Sequence, residues 1–157
     1  MMTADIIFRL AIRDDLPEIV RMLADDELGR QREDYKLPLP DCYFEAFEMI
    51  EGSSFFELIV AELSGHIVGS LQLIYIPSLS YKGGLRAQVE SVRVDEHLRG
   101  QGIGKCMMEW AIERARQHGA HILQLTTHHT RKDAHRFYER LGFTGSHLGM
   151  KLSLKQG

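Results

Sequence analysis

Apolar residues recur along the chain with two periods, one of strands and one of helices. Ile6 to Ile12 is dense in Ile and Phe, which predicts a strand. Leu16, Ile19, Val20 and Leu23 then fall at i, i+3, i+4 and i+7, one face of a helix. Asp14 is placed to cap it, Pro17 sits in its first turn, and Gly29 would end it. A charged loop with Pro38 and Pro40 follows from Arg30 to Pro40, and Cys42 to Ile50 predicts a short helix. Phe55–Leu63 and His66–Ile76 are β-prone runs joined by Ser64-Gly65, the pattern of a tight hairpin. Pro77 to Arg86 reads as a loop and Ala87 to Val94 as the next strand. Strict alternation puts Gln88, Glu90, Val92 and Val94 on one face and Val89, Ser91 and Arg93 on the other.

Beyond that strand lies a glycine-rich turn, and then Ile103, Met107, Ala111 and Ala115 at helical spacing, stopped by Gly119. Ile122–Thr126 predicts a strand. Asp133 to Leu141 predicts a helix with Ala134, Phe137, Tyr138 and Leu141 inward, ended by Gly142. Leu148 to Leu154 is expected as a final strand. The order β-α-α-β-β-β-α-β-α-β describes a mixed α/β sheet.

A length of 157 residues suits a single domain spanning 1–157, large enough to bury roughly 70% of its unfolded surface without a disulfide or structural metal. Uncharged apolar runs such as Leu58 to Ala61 are far too short to cross a membrane. No basic region precedes an apolar stretch at the N-terminus, so no signal peptide is expected. Cys42 and Cys106 are then expected to be reduced thiols in a cytoplasmic protein. Nineteen basic against 22 acidic residues give −3, which argues against a dedicated nucleic-acid binder. The charge is uneven, however. Asp14 to Glu62 holds 14 acidic and 4 basic residues, a net of −10, whereas Arg99 to Arg140 holds 8 basic and 4 acidic, a net of +4. An acidic half attracts cations and a basic half phosphates.

The turn Arg99-Gly100-Gln101-Gly102-Ile103-Gly104 carries the most chemistry. Glycines let backbone N–H groups approach a ligand, and a helix N-terminus adds positive potential. Lys105 in the first helical turn opposes the macrodipole, but a bound anion would favour it. The physical reading is a phosphate cradle. It is not a P-loop, because Arg99 stands where glycine is needed and Cys106 where Ser or Thr is needed. Nor is it a dinucleotide turn, because Lys105 replaces the third glycine.

Arg99, Gly102 and Gly104 fit the pattern Arg/Gln-x-x-Gly-x-Gly/Ala, which resembles the acetyl-CoA-binding motif of the GNAT superfamily of N-acetyltransferases. Val89 to Val94 resembles the strand before that motif. Ala134-His-Arg-Phe-Tyr-Glu-Arg-Leu-Gly-Phe143 resembles the family's A-x-x-F-Y-x-x-x-G-F signature. The resemblance covers essentially the whole chain and implies an α/β (α+β) fold. Its sheet would be mixed and mostly antiparallel, with splayed central strands flanked by helices.

The resemblance further implies acetyl-CoA as donor and a primary amine of a small molecule or peptide as acceptor, by direct attack in a ternary complex. Backbone groups of Val92 and Val94 would pair with the pantetheine arm, the Val92 amide polarising the thioester oxygen. The amides of Arg99, Gly100, Gln101, Gly102, Ile103, Gly104 and Lys105 would hold the pyrophosphate. Phe137 would line the cofactor. Arg131 stands where many relatives have Asn, and would reach a CoA phosphate or the acceptor or point to solvent. Tyr138 would protonate the leaving thiolate, a modest transfer between reference pKa values of about 10 and about 8.5.

Glu90, on the face assigned to Val92 and Val94, is the candidate base, acting directly or through water. The glutamate used by the protein-lysine-modifying branch aligns instead with Gln88. Asp133 to Tyr138 is also similar to aminoalkylphosphonate N-acetyltransferases, but over six residues of a shared motif. The acceptor is expected over the acidic half, between the Arg30–Cys42 and Pro77–Arg86 loops. Cationic amines, polyamines, amino sugars and peptide amines all fit. Adjacent His128 and His129 point opposite ways on a strand, so no metal is expected. Cys106 has no partnered histidine nearby and is read as a buried small residue. A homodimer is in keeping with the family; nucleic-acid and membrane partners are not expected. The alternative reading is a non-catalytic CoA-binding regulatory or interaction module.

Overall fold

The computed structural model describes residues 3–155. Five strands form one sheet in the order β1-β2-β3-β4-β5: Ile7–Leu10, Phe56–Leu63, His66–Pro77, Leu85–Val94 and Ala120–Leu125. The first four are antiparallel, and β5 lies parallel to β4. The hairpin at Ser64-Gly65 forms as expected, with both residues at positive φ. Helices α1 (Leu16–Leu23), α2 (Glu27–Arg32) and α3 (Asp41–Glu51) precede β2. A left-handed turn, α4 (Ser80–Gly83), links β3 to β4. Helix α5 (Ile103–Gln117) crosses from β4 to β5, and α6 (Lys132–Arg140) follows β5.

Each sheet face has its own apolar cluster. On one face Ile59, Ala61, Leu71, Leu73, Ala87 and Val89 pack against Ile103, Met107, Met108, Ala111 and Ala115 of α5. The four-residue spacing of the α5 stripe is what lays these side chains on the sheet. On the other face Val60 packs under Leu16, Ile19 and Val20 of α1, Phe47 of α3 and Leu39.

Three sequence expectations change. Gly29 does not end α1. That helix stops at Leu23, and Asp26 caps a separate short helix by accepting from the Gly29 amide at 2.6 Å. Gly29 is required because a Cβ there would collide with the Leu23 carbonyl. Asp14 is not the residue that organises the first helix entry. Asp15 does so, accepting from the Ile12 amide at 2.8 Å and from the Arg9 guanidinium at 2.7 and 3.0 Å. Finally, Leu148 to Leu154 is not a strand. Residues 143–155 have no regular structure, and Leu148, Met150, Leu152 and Leu154 are 85–89% exposed. The alternation that predicted a strand is present, but among the described residues no strand pairs with it.

The strand β4 departs from regular alternation at one point. Ser70 lies opposite Arg93 and Gln72 opposite Glu90, so β4 spends one residue more than β3 across this interval. Ser91 absorbs it at φ 55°, a β-bulge. Ala87 and Val89 before the bulge, and Val92 and Val94 after it, all pack toward α5. Glu90 therefore does not share a face with Val92 and Val94, contrary to the strict period of two. It lies with Gln88, whose side-chain amide donates to it, on the α1–α3 side.

Candidate active site

Strands β4 and β5 part company near the bulge. Their pairing ends at Val89–Leu125, while β4 continues to Val94. Beyond Val89 the β5-facing edge of β4 is open. The Asp95 amide donates to the Val68 carbonyl at 2.9 Å, so by the period of the strand the amides of Val92 and Val94 face the opening. Their carbonyls are met only by side chains: Arg93 reaches Val92 O at 3.3 Å and Arg99 reaches Val94 O at 3.4 Å.

The glycine turn closes one end of the opening. Gly100 and Gly102 hold φ of 78° and 86°, conformations that L side chains rarely adopt. Gly102 is the N-cap of the 15-residue α5 and offers no side-chain cap, which leaves the first-turn amides free to bind a ligand. Gly104 is where β4, α5 and α6 converge. A Cβ there would sit 3.6 Å from both Val94 Cγ2 and Phe137 Cζ. Ile103 is fully buried in the core, so only its backbone faces the turn. Gln101 and Lys105 are exposed, and Lys105 leans toward Glu109 at 3.6 Å. Cys106 is half-buried, and burial with nearby Glu109 pushes its thiol up, away from the reactive thiolate.

The phenol of Tyr138 sits on α6 with its ring edge-on to Phe137 and Phe143. Burial raises its pKa, while Arg93 and Arg131 pull against that rise. The hydroxyl thus stays protonated at neutral pH, beside two cations that favour its deprotonated form.

Around it lies an ion cluster that alternation had hidden. With one residue looped out at Ser91, Arg93 and Asp95 turn toward α1 rather than into the α5 core. Asp95 pairs with Arg21 at 2.6 Å. Arg99 pairs with Asp25 at 2.8 Å and Arg131 with Asp26 at 2.7 Å. Burial would raise Asp26, but the Gly29 amide, Arg93 and Arg131 together hold it below the usual carboxylate range. Arg93 is the exception in this cluster. Its side chain is 14% exposed, Asp26 lies 3.9 Å away, and its Nε is buried with no hydrogen-bond partner among the described residues. Burial pushes its guanidinium below its ordinary range; Asp26 opposes this and Arg131 and Arg32 reinforce it. The sequence carried a signal for this residue: an arginine in a strand at a position that simple alternation turned inward.

On the α1–α3 side of the sheet a cavity of about 140 Å³ opens between Leu16, Ile19, Leu23, Tyr43 and Phe47, floored by Ser70, Gln72 and Ser91. Glu90 lies opposite Gln72 at this floor. The cavity thus lies against one face of β4, and the opening beside Val92 and Val94 runs along its β5-facing edge. Among the described residues no group of three or more His, Cys, Asp and Glu is placed to hold a metal ion. No helix among them is long and apolar enough to cross a membrane.

Residues 20–143 match the acetyltransferase (GNAT) family. The chain belongs to that family. Its GNAT fold is closely shared with a structure described as a transcriptional regulator from Bacillus halodurans C-125. The two are 50% identical with a TM-score of 0.92, over 95% of this chain and 99% of the other. The aminoalkylphosphonate N-acetyltransferase of Salmonella typhimurium is 38% identical over 54% of each chain. The glucosamine 6-phosphate N-acetyltransferase of Trypanosoma brucei brucei is 33% identical over 58% of this chain and 60% of its own. The chain thus spans little more than half the length of these two curated relatives.

Proposed function

We propose that this GNAT protein is an N-acetyltransferase that carries an acetyl group from acetyl-CoA to the primary amine of a small molecule. The observation that carries the reading is the open edge of β4. It leaves the Val92 and Val94 amides facing a cleft that ends at an uncapped helix N-terminus and has a half-buried phenol at its side. These residues suit a CoA ester: two strand amides for an extended amide-bearing arm, and a glycine turn for its phosphates. The donor supplies an activated acetyl thioester. The Val92 amide hydrogen-bonds the acyl oxygen as it gains charge. Tyr138 gives its proton to the departing sulfur. Glu90, reached from the other face, takes a proton from the acceptor ammonium, directly or through water, which frees the amine to attack the acyl carbon; the nitrogen sheds its second proton as the thiolate leaves and is protonated. Arg131, held by Asp26, lies beside the tyrosine and keeps positive charge at the cleft. The amines named for the two curated relatives are small molecules, which supports a small acceptor over a peptide.

Free-thiol release from acetyl-CoA across a panel of amines tests this. Amine-dependent release is expected. Tight acetyl-CoA binding without release for any amine overturns it.

One observation favours a second reading: the half-identical Bacillus halodurans structure is described as a transcriptional regulator. A CoA-responsive regulatory module would bind acetyl-CoA without turnover and engage a partner only when loaded. The same assay separates the two.

A further inference from the structure

A buried arginine without a full partner costs free energy that a fold does not ordinarily leave uncompensated. Arg93 is such a residue. The acidic segment around it is already engaged: Asp25 by Arg99, Asp26 by Arg131, Asp95 by Arg21, Glu33 by Arg32 and Asp15 by Arg9. The net charge of −10 over Asp14 to Glu62 is therefore a poor guide to the site. At the end of β4 each carboxylate has a closer arginine, and Arg93 is left with Asp26 at 3.9 Å and an unpartnered Nε.

Its position is informative. The bulge at Ser91 puts Glu90 and Arg93 on the same face, the one that carries the α1–α3 cavity. Val92 and Val94 face the donor cleft on the other side. Had Ser91 kept a regular place in the strand, Arg93 would have pointed with Val89 into the α5 core. The chain thus places a candidate base and an incompletely paired cation on one face of β4.

We propose that the acceptor is an amine that also carries an anionic group, a carboxylate, phosphonate or phosphate, and that Arg93 is the residue that binds this group. This rests on the N-acetyltransferase reading and narrows it. Nη1 donates to the Val92 carbonyl, and Nε with Nη2 forms the side of the planar fork matched to two oxygens of one anion. A second cation, as in a polyamine or aminoglycoside, would meet the Arg93 guanidinium with Arg131 and Arg32 near it, partly offset by Asp26 and Asp25.

Matched amine pairs test the proposal. Full-length protein is assayed with methylamine against glycine, and with methylamine against aminomethylphosphonate. The acidic member is expected to be favoured at least tenfold in kcat/KM, and comparison of the two acids distinguishes carboxylate from phosphonate. Arg93→Gln should erase the preference by raising KM for the acidic amine at least tenfold while leaving KM for acetyl-CoA within twofold. Arg93→Lys should recover part of it. A preference that survives Arg93→Gln, or faster turnover of spermidine than of either acid, overturns the proposal.

Calorimetry with acetate and methylphosphonate supplies a readout independent of turnover. Binding by the wild type that is lost in Arg93→Gln and unaffected by CoA supports the site, even if every amine fails and the enzyme reading falls with them. No binding of either anion, or displacement of the anion by CoA, assigns Arg93 to a structural or donor role and overturns it.

Discussion

Two polar networks lie at the two ends of α5, and they are built differently. Near its C-terminus, Glu57 of β2 accepts from the Tyr75 hydroxyl at 2.5 Å and from Arg114 at 2.5 and 3.2 Å. The His118 ring stacks on Tyr75 with centroids 4.3 Å apart. Both carboxylate oxygens are used, and the groups tie β2 and β3 to α5. Near the N-terminus of α5, Arg21, Arg93, Arg99 and Arg131 meet Asp25, Asp26 and Asp95. Here Asp25 Oδ2 and Arg93 Nε are buried without hydrogen-bond partners among the described residues. A closed network returns its desolvation cost in fixed geometry. An open one keeps bonding capacity in reserve. The contrast separates a network that holds the sheet together from one that awaits a ligand.

The sharpest way to break the contrast is at Tyr138. Tyr138→Phe should lower turnover at least 100-fold, the usual scale of general-acid catalysis, with acetyl-CoA affinity and melting temperature nearly unchanged. Turnover within twofold of wild type, by thiol release, removes the proton-donor role.

Glu57→Gln should do the reverse. It leaves Arg114 half-compensated and is expected to cost about 3 kcal/mol in urea unfolding, while activity per folded molecule holds. The same variant sharpens the pH dependence. Burial would raise Glu57, yet the Arg114 and Tyr75 hydrogen bonds outweigh it and hold its pKa below the ordinary 4.5. A depressed carboxylate contributes stability that is present above its unfolded value and lost as pH falls through the folded one. The acid limb of the stability curve should therefore be shallower in Glu57→Gln than in wild type.

Gly102→Ala forces a Cβ onto φ 86° and should cost about 1–2 kcal/mol, with weaker acetyl-CoA binding by calorimetry. The smallest effect is expected for Arg93→Gln. Its thermal stability should stay within about 1 kcal/mol of wild type, because the group removed is incompletely paired. A loss as large as that of Glu57→Gln would make the two networks equivalent.

Much of this was legible in the sequence, for reasons of period and punctuation. The α5 stripe, the Ser64-Gly65 hairpin, the glycine turn and the Ala134–Phe143 signature depend on local spacing, and each lies where spacing placed it. The parting of β4 and β5 was implied by family resemblance alone, since Val92 and Val94 look like ordinary strand core. What spacing could not reveal was the bulge. Ser91 is not a residue type that announces positive φ, and missing it put Glu90 on the face of Val92 and Val94 and Arg93 on the face of Val89. The ion cluster was hidden for a different reason. Asp25 and Asp26 are more than 60 residues from Arg93, Arg99 and Arg131, and only the packing of α1 against β4 joins them. The tail from Leu148 to Leu154 shows the opposite failure, a strand pattern without a strand, because alternation describes a face and says nothing of a neighbour.

Ser91 contributes neither charge nor apolar bulk, yet it sets what every later residue of β4 addresses. Were Ser91 to take an ordinary extended place in the ladder instead of looping out, the same side chains would turn Arg93 and Asp95 into the α5 core and Val92 and Val94 out of it. This part of the site is thus encoded in whether one residue is counted by the strand. A relative with one residue fewer between Glu90 and Val94 would keep both walls on a straight strand, whereas one that kept every residue and lost the bulge would exchange them.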